Sequence, residues 1–132
     1  VIIGTSKTSW GSDAGGLLLD RLRDGKITFH NNLAYNSPIV TSSTTVTDGV
    51  WRHIAFVREG NVYYLFVNGK LESSGTDRNW ASFNLALNNK FHIGYNAWDG
   101  MYANFSIDEF RISGTARWTE NFTPPTEPYV AD

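Results

Sequence analysis

The chain has 132 residues, with 11 Lys and Arg against 13 Asp and Glu, a formal charge of −2, and 41% apolar and 14% aromatic residues. A duplex nucleic-acid binder draws its affinity from neutralised phosphates and needs a basic face, which this charge balance excludes, and the aromatic content with few charges excludes disorder. Cysteine is absent, which removes disulfides and thiolate metal sites. No apolar run approaches the ~18–20 residues of a bilayer-spanning helix, so membrane insertion is not expected.

Val1-Ile2-Ile3 opens directly as a strand-like stretch, without the basic start or cleavage site of a signal peptide. No long 3.6-residue apolar period follows, so no helix longer than about a turn is expected. Gly16–Leu22 and Lys26–His30 flank Asp24-Gly25, a hairpin signal. Thr41–Val46 is β-branched and polar, the pattern of an edge or half-buried strand. After the turn Asp48-Gly49, the runs Trp51–Val57 and Val62–Val67 are joined by Arg58–Asn61. Asn68-Gly69 then leads into Lys70-Leu71-Glu72 through a type I′ turn, where both central residues need positive φ. Both central strands are apolar or aromatic at nearly every position, which predicts partial cover on each face.

Ser73–Phe83 reads as turns, Asn84–Leu87 as a short strand, Lys90–Tyr95 as a strand and Asn96–Ala103 as a loop. Phe105–Ile112 alternates as a strand, with a slip at Asp108-Glu109 that suggests a bulge. The Pro-rich tail Thr123–Pro128 cannot sit inside a sheet and is expected along the surface. With strands punctuated by turns throughout and no internal repeat or boundary, residues 1–132 read as a single antiparallel domain, a sandwich or barrel.

Two stretches carry a family pattern. One runs from Asp48-Gly49-Val50-Trp51-Arg52-His53-Ile54-Ala55-Phe56-Val57-Arg58 through Tyr63–Gly69. The other comprises Phe91-His92-Ile93-Gly94, Ile107–Ser113 and Ala116–Pro125. They resemble the laminin G-like, concanavalin A-like lectin/glucanase superfamily, of the kind found in phage and marine bacterial surface proteins. The resemblance implies a two-sheet jelly-roll sandwich that binds glycan or protein on a concave face or loop rim. It also implies that the usual opening strand is missing, through N-terminal truncation, rearrangement or completion by another chain. Relatives of this kind often hold calcium through the Asp that corresponds to Asp108, which makes Asp108 the expected metal ligand, although one ligand is far from the 6–8 oxygens calcium takes.

Retaining glycoside hydrolysis needs two carboxyl groups about 5–5.5 Å apart, which a strand supplies at alternate positions. Asp108 and Glu109 are adjacent, and Glu59, Glu72, Asp77 and Asp99 sit singly, so no catalytic residue is expected. His30, His53 and His92 are expected to be packed or half-exposed strand residues rather than bases or metal ligands. Trp51 falls in the family's core pattern and is expected in the core; Trp118 is expected to clamp the tail onto the sandwich. Trp10, Trp80 and Trp98 lie in polar, turn-rich stretches, where an exposed indole can stack on the C–H face of a sugar. The expected binding residues are therefore Trp10, Trp80, Asn96, Trp98 and Asp99, with sugar hydroxyls bonded by the polar members; the competing reading is that each Trp plugs an end of the sandwich and that Asn and Asp serve their own turns. Asn104-Phe105-Ser106 and Asn121-Phe122-Thr123 match the glycosylation pattern, without an expected role.

The function expected from this reading is a non-catalytic, lectin-like adhesion module on a virion or on a bacterial surface or secreted protein. Its partner would be a glycan or host-surface polysaccharide. The alternative is a structural module that decorates or caps a larger assembly through neighbouring protein chains; a glycoside hydrolase ranks below both.

Overall fold

The computed structural model describes residues 2–5, 17–21, 24–31, 38–47, 49–76, 91–96 and 100–130. They contain no helix and ten strands: β1 (Ile3–Thr5), β2 (Leu17–Arg21), β3 (Lys26–Asn31), β4 (Val40–Thr45), β5 (Ile54–Glu59), β6 (Val62–Val67), β7 (Lys70–Thr76), β8 (Phe91–Ile93), β9 (Tyr95–Asn96) and β10 (Met101–Tyr102). A five-stranded sheet runs β4-β3-β2-β1-β8, a three-stranded sheet runs β5-β6-β7, and β9 and β10 form a separate ribbon. Every pairing is antiparallel.

The turns follow their local chemistry. At Asp24-Gly25, Gly25 takes φ 82°, and the Asp24 carboxylate accepts the Lys26 N–H at 3.1 Å. The expected type I′ geometry is present at Asn68 (φ 51°) and Gly69 (φ 76°). Asn68 also seals the end of the β5–β6 ladder, because its Oδ1 accepts the His53 N–H at 2.9 Å.

The core lies between the two sheets, where Ile27, Phe29 and Val40 meet Tyr63 and Leu65, with Ile54 and Phe56 packed alongside. Strand alternation makes this selection: Tyr63 and Leu65 face inward, while Tyr64 and Phe66 face outward. The outward face of β5–β6 is covered too, since Ala55, Val57 and Phe66 lie under Tyr64, Leu71, Trp118 and Phe122. This accounts for two strands that are apolar on both faces, and Trp118 sits in the tail-clamping position expected of it.

One side of the sandwich is closed by a bulge. The β6–β7 register pairs Leu65 with Ser73 but Phe66 with Leu71, so Glu72 has no ladder partner. The extra residue reaches across to β4, where Glu72 Oε2 accepts the N–H groups of Ser43 and Thr44, each at 2.9 Å. The Thr44 hydroxyl donates to Glu72 Oε1. Three donors on one carboxylate thus fasten the edge of one sheet to the edge of the other. Gly75 permits the approach, since a Cβ there would lie 2.2 Å from the Ile39 carbonyl oxygen.

Burial acts to raise the Glu72 pKa, but the hydrogen bonds from Thr44 and Ser43 outweigh it and hold the carboxyl below its usual value. An acid whose folded pKa is depressed stabilises the fold above its unfolded pKa of about 4.3, and that stability is lost as pH falls through the lower folded value. Glu72→Gln should therefore cost about 1 kcal/mol near neutrality, after allowance for solvent screening. It should also flatten the loss of stability below pH ~4.3, as thermal unfolding across that range would record. An unchanged acid limb in the variant would show that the clasp is not charged.

Several expectations are corrected. Trp51 is not in the core but 66% exposed, because the β5 ladder starts at Ile54 and the Asn68 cap on His53 ends pairing before Trp51 is reached. Phe105–Ile112 is not a strand. The β9–β10 pairing stops after the Ala103 N–H bonds Gly94 O at 2.8 Å. Further along, Glu109 adopts φ 51°, with its N–H donated to Asp108 Oδ1 at 2.9 Å. Two consecutive polar residues thus make a side-chain-supported turn where a bulge was expected. β7 continues to Thr76, into the stretch read as turns, and β9 and β10 occupy the stretch read as a loop. The strand expected at Asn84–Leu87 lies outside the described residues.

Candidate functional site

The β9–β10 ribbon pairs Tyr95 with Tyr102 and Asn96 with Met101. It rises from β8 through Gly94, whose φ of 70° turns the chain and whose N–H donates to Ile2 O at 2.9 Å. The ribbon is therefore anchored to β1 at its base. Tyr102 is 83% exposed. Its ring meets the half-buried Tyr95 ring at 4.9 Å and 41°, and Tyr95 meets His92 edge-on at 5.2 Å and 62°. The three rings form a column from β8 outward, so the outermost aromatic is held from beneath rather than hanging free. A ring fixed this way loses little rotamer freedom on binding a flat apolar surface, which favours recognition.

The segment between the paired strands carries Trp98 and Asp99. These two residues, with Trp80 and Trp10, lie outside the described residues. Asn96 takes its place in β9, paired with Met101. Tyr102 escaped the sequence reading although a signal was present: Asp99-Gly100 sits between Tyr95 and Tyr102, the same kind of turn that marked the first hairpin. Gly100 does take the left-handed region, at φ 71°.

Asp108 is exposed and spends one oxygen on its own turn. Among the described residues no three His, Cys, Asp or Glu gather as a metal site, so calcium at Asp108 would draw its other oxygens from carbonyls, amides, water or residues outside that set. Glu109 is turned toward the tail, where its Oε2 accepts the Tyr129 N–H at 2.8 Å. Adjacent in sequence and engaged in different backbone contacts, Asp108 and Glu109 do not resemble a hydrolytic pair set across one sugar. His53 packs among tail aromatics and His30 is buried against Thr28, both as strand-associated packing residues. At the second glycosylation pattern, the Asn121 amide oxygen is already occupied by the Leu71 N–H at 2.8 Å.

An all-β arrangement of two antiparallel sheets is the architecture of a sandwich domain. A laminin G-like family model of the concanavalin A-like lectin/glucanase superfamily matches residues 2–121, and the chain belongs to that family. Among solved structures, the chain is similar to an S-layer domain-containing protein from Clostridium thermocellum, at 26% identity and a TM-score of 0.46. The match covers 82% of this chain and spans about half of that one, 54%. No curated protein matches.

Proposed function

We propose that this domain is a non-catalytic binding module of a surface or extracellular protein, recognising a glycan at the β9–β10 ribbon. The observation that carries the reading is Tyr102, 83% exposed yet braced by Tyr95. A large aromatic left in water forgoes hydrophobic stabilisation, and a braced one offers a ready face for the C–H side of a sugar ring. Asn96 belongs to β9, and Trp98 and Asp99 follow it in the sequence before β10; on this reading they supply hydrogen bonds and a second indole face. Membership of a family that includes lectins supports the ligand class.

A glycan array followed by titration of the best ligand tests this reading. Tyr102→Ala should weaken binding by roughly tenfold or more, the equivalent of about 1.4 kcal/mol, with little change in thermal stability because the side chain is exposed. Trp98→Ala should act in the same direction. Failure of every glycan to bind, or unchanged affinity in both variants, would remove the assignment.

A second reading has its own support. Phe105, Ile107, Phe110 and Ile112 are 41%, 46%, 42% and 70% exposed, Phe91 and Ile93 of β8 are exposed too, and the Phe91 and Phe110 rings lie 6.3 Å apart. Large apolar side chains left in solvent are candidates for protein contact, so a structural module joined to neighbouring chains is the competing function. A monomeric mass in solution together with glycan affinity selects the first reading, and obligate self-association without glycan affinity selects the second.

A further inference from the structure

We propose that the tail segment Trp118–Tyr129 is an acid-released clamp, held over the outer face of the β5–β6–β7 sheet by neutral His53 and let go when that imidazole takes up a second proton. His53 touches the segment at three residues. Its ring meets Trp118 at 5.9 Å and 82° and Phe122 at 5.5 Å and 78°, both edge-on, and its Nε2 lies 2.9 Å from the Tyr129 hydroxyl. Trp118 and Phe122 stack on each other at 4.0 Å and 6°, and Phe122 meets Phe66 on the sheet at 5.3 Å. Two backbone-directed bonds pin the same stretch, from Phe122 N–H to Gly69 O at 2.9 Å and from Leu71 N–H to Asn121 Oδ1 at 2.8 Å.

The ring is suited to this place only while neutral. One nitrogen is satisfied by Tyr129, but Nδ1 is buried and has no hydrogen-bond partner. A neutral imidazole can leave a lone pair there, whereas an imidazolium carries N–H groups on both nitrogens and would bury a donor without an acceptor. Trp118, Phe122, Tyr129 and Asn68, which contact His53, are all uncharged. Charge reaches it only at a remove: Glu109 accepts the Tyr129 N–H, Arg111 lies 5.3 Å over the Tyr129 ring, and Arg52 precedes it in the chain.

Burial accordingly lowers the His53 pKa below the usual value of 6.5. A His with a lowered folded pKa gives full stability above about 6.5 and loses it as pH falls from there toward the folded value, because the open state takes the proton first. Release would uncover Ala55, Val57 and Phe66.

Amide hydrogen exchange at pH ~7.5 and pH ~5, corrected for intrinsic rates, reads the clamp directly through the Phe122 and Leu71 amides, with β3 amides as the internal reference. Their protection relative to β3 should fall several-fold at pH ~5, by more the further the His53 pKa is depressed and up to a ceiling of about thirtyfold, and His53→Gln should abolish that dependence. NMR titration of the imidazole in the unaltered protein should place His53 below about 6.5. Protection independent of pH, an equal fall in His53→Gln, or a titration at or above the ordinary value would each overturn the proposal. Should His53→Gln fail to fold, Tyr129→Phe serves in its place. With the acceptor for the imidazolium removed, its protection should fall more steeply with acid than in the unaltered protein, and a shallower fall would count against the clamp.

Discussion

Gly69→Ala is expected to destabilise the domain by about 3 kcal/mol, well beyond the ~1 kcal/mol that a left-handed backbone conformation alone costs a residue with a side chain. Gly69 has φ 76°, and a Cβ on it would sit 1.9 Å from the Phe122 carbonyl oxygen and 2.9 Å from Pro124 Cδ. Backbone cannot yield as a side-chain tip can, so the tail must lift. Lifting it breaks the bond from Phe122 N–H to Gly69 O and strips the Trp118–Phe122 pair from Ala55, Val57 and Phe66. Gly60 provides the control: its φ is 59°, but nothing lies within 4 Å of an added Cβ. Gly60→Ala should therefore show the backbone penalty alone. Urea unfolding of both variants separates the two effects, and equal losses would mean that the tail does not press on the Asn68-Gly69 turn.

Phe29→Ala should cost 3–5 kcal/mol, the range for removing a large aromatic from a packed interior. Phe29 is fully buried on β3 and stacks on two side chains from the opposite sheet, Phe56 at 4.0 Å and Tyr63 at 5.3 Å. Phe56 and Tyr63 in turn lie 5.7 Å apart, so the three rings bridge the two layers and the cavity would open at the seam. The loss therefore combines missing transfer energy with lost contacts between sheets that no neighbour can restore without shifting a strand. Trp51→Ala, which deletes a larger side chain, should stay within about 0.5 kcal/mol because Trp51 stands mostly in solvent. Urea midpoints with unchanged slopes would check both. A reversal of that order would mean that Trp51 is a core aromatic, as the family pattern implied.

What the sequence determined by itself was whatever depends on neighbours along the chain. Asn68-Gly69 had to turn because few other residue pairs tolerate two positive φ values in succession, and at Asp24-Gly25 the glycine takes the left-handed region, at φ 82°. β5 and β6, apolar on both sides, had to be covered twice, a requirement visible without knowing what would cover them. The run of motifs from Asp48 to Pro125 was enough to place the chain in its family.

The tertiary structure decided which segment supplies the second cover and which aromatics are left outside. A period of two assigns side chains to faces but says nothing of what approaches a face, so the tail's position over Phe66 could be guessed only from Trp118. Trp51 has strand neighbours in sequence yet stands exposed, because ladder pairing ends where Asn68 caps His53. Glu72 reads as an ordinary turn carboxylate, and only the bulge opposite Leu65 and Phe66 sends it across to β4. Tyr102 became a recognition candidate once the ribbon paired it with Tyr95, a contact set by the register between strands rather than by the residues beside it in the chain.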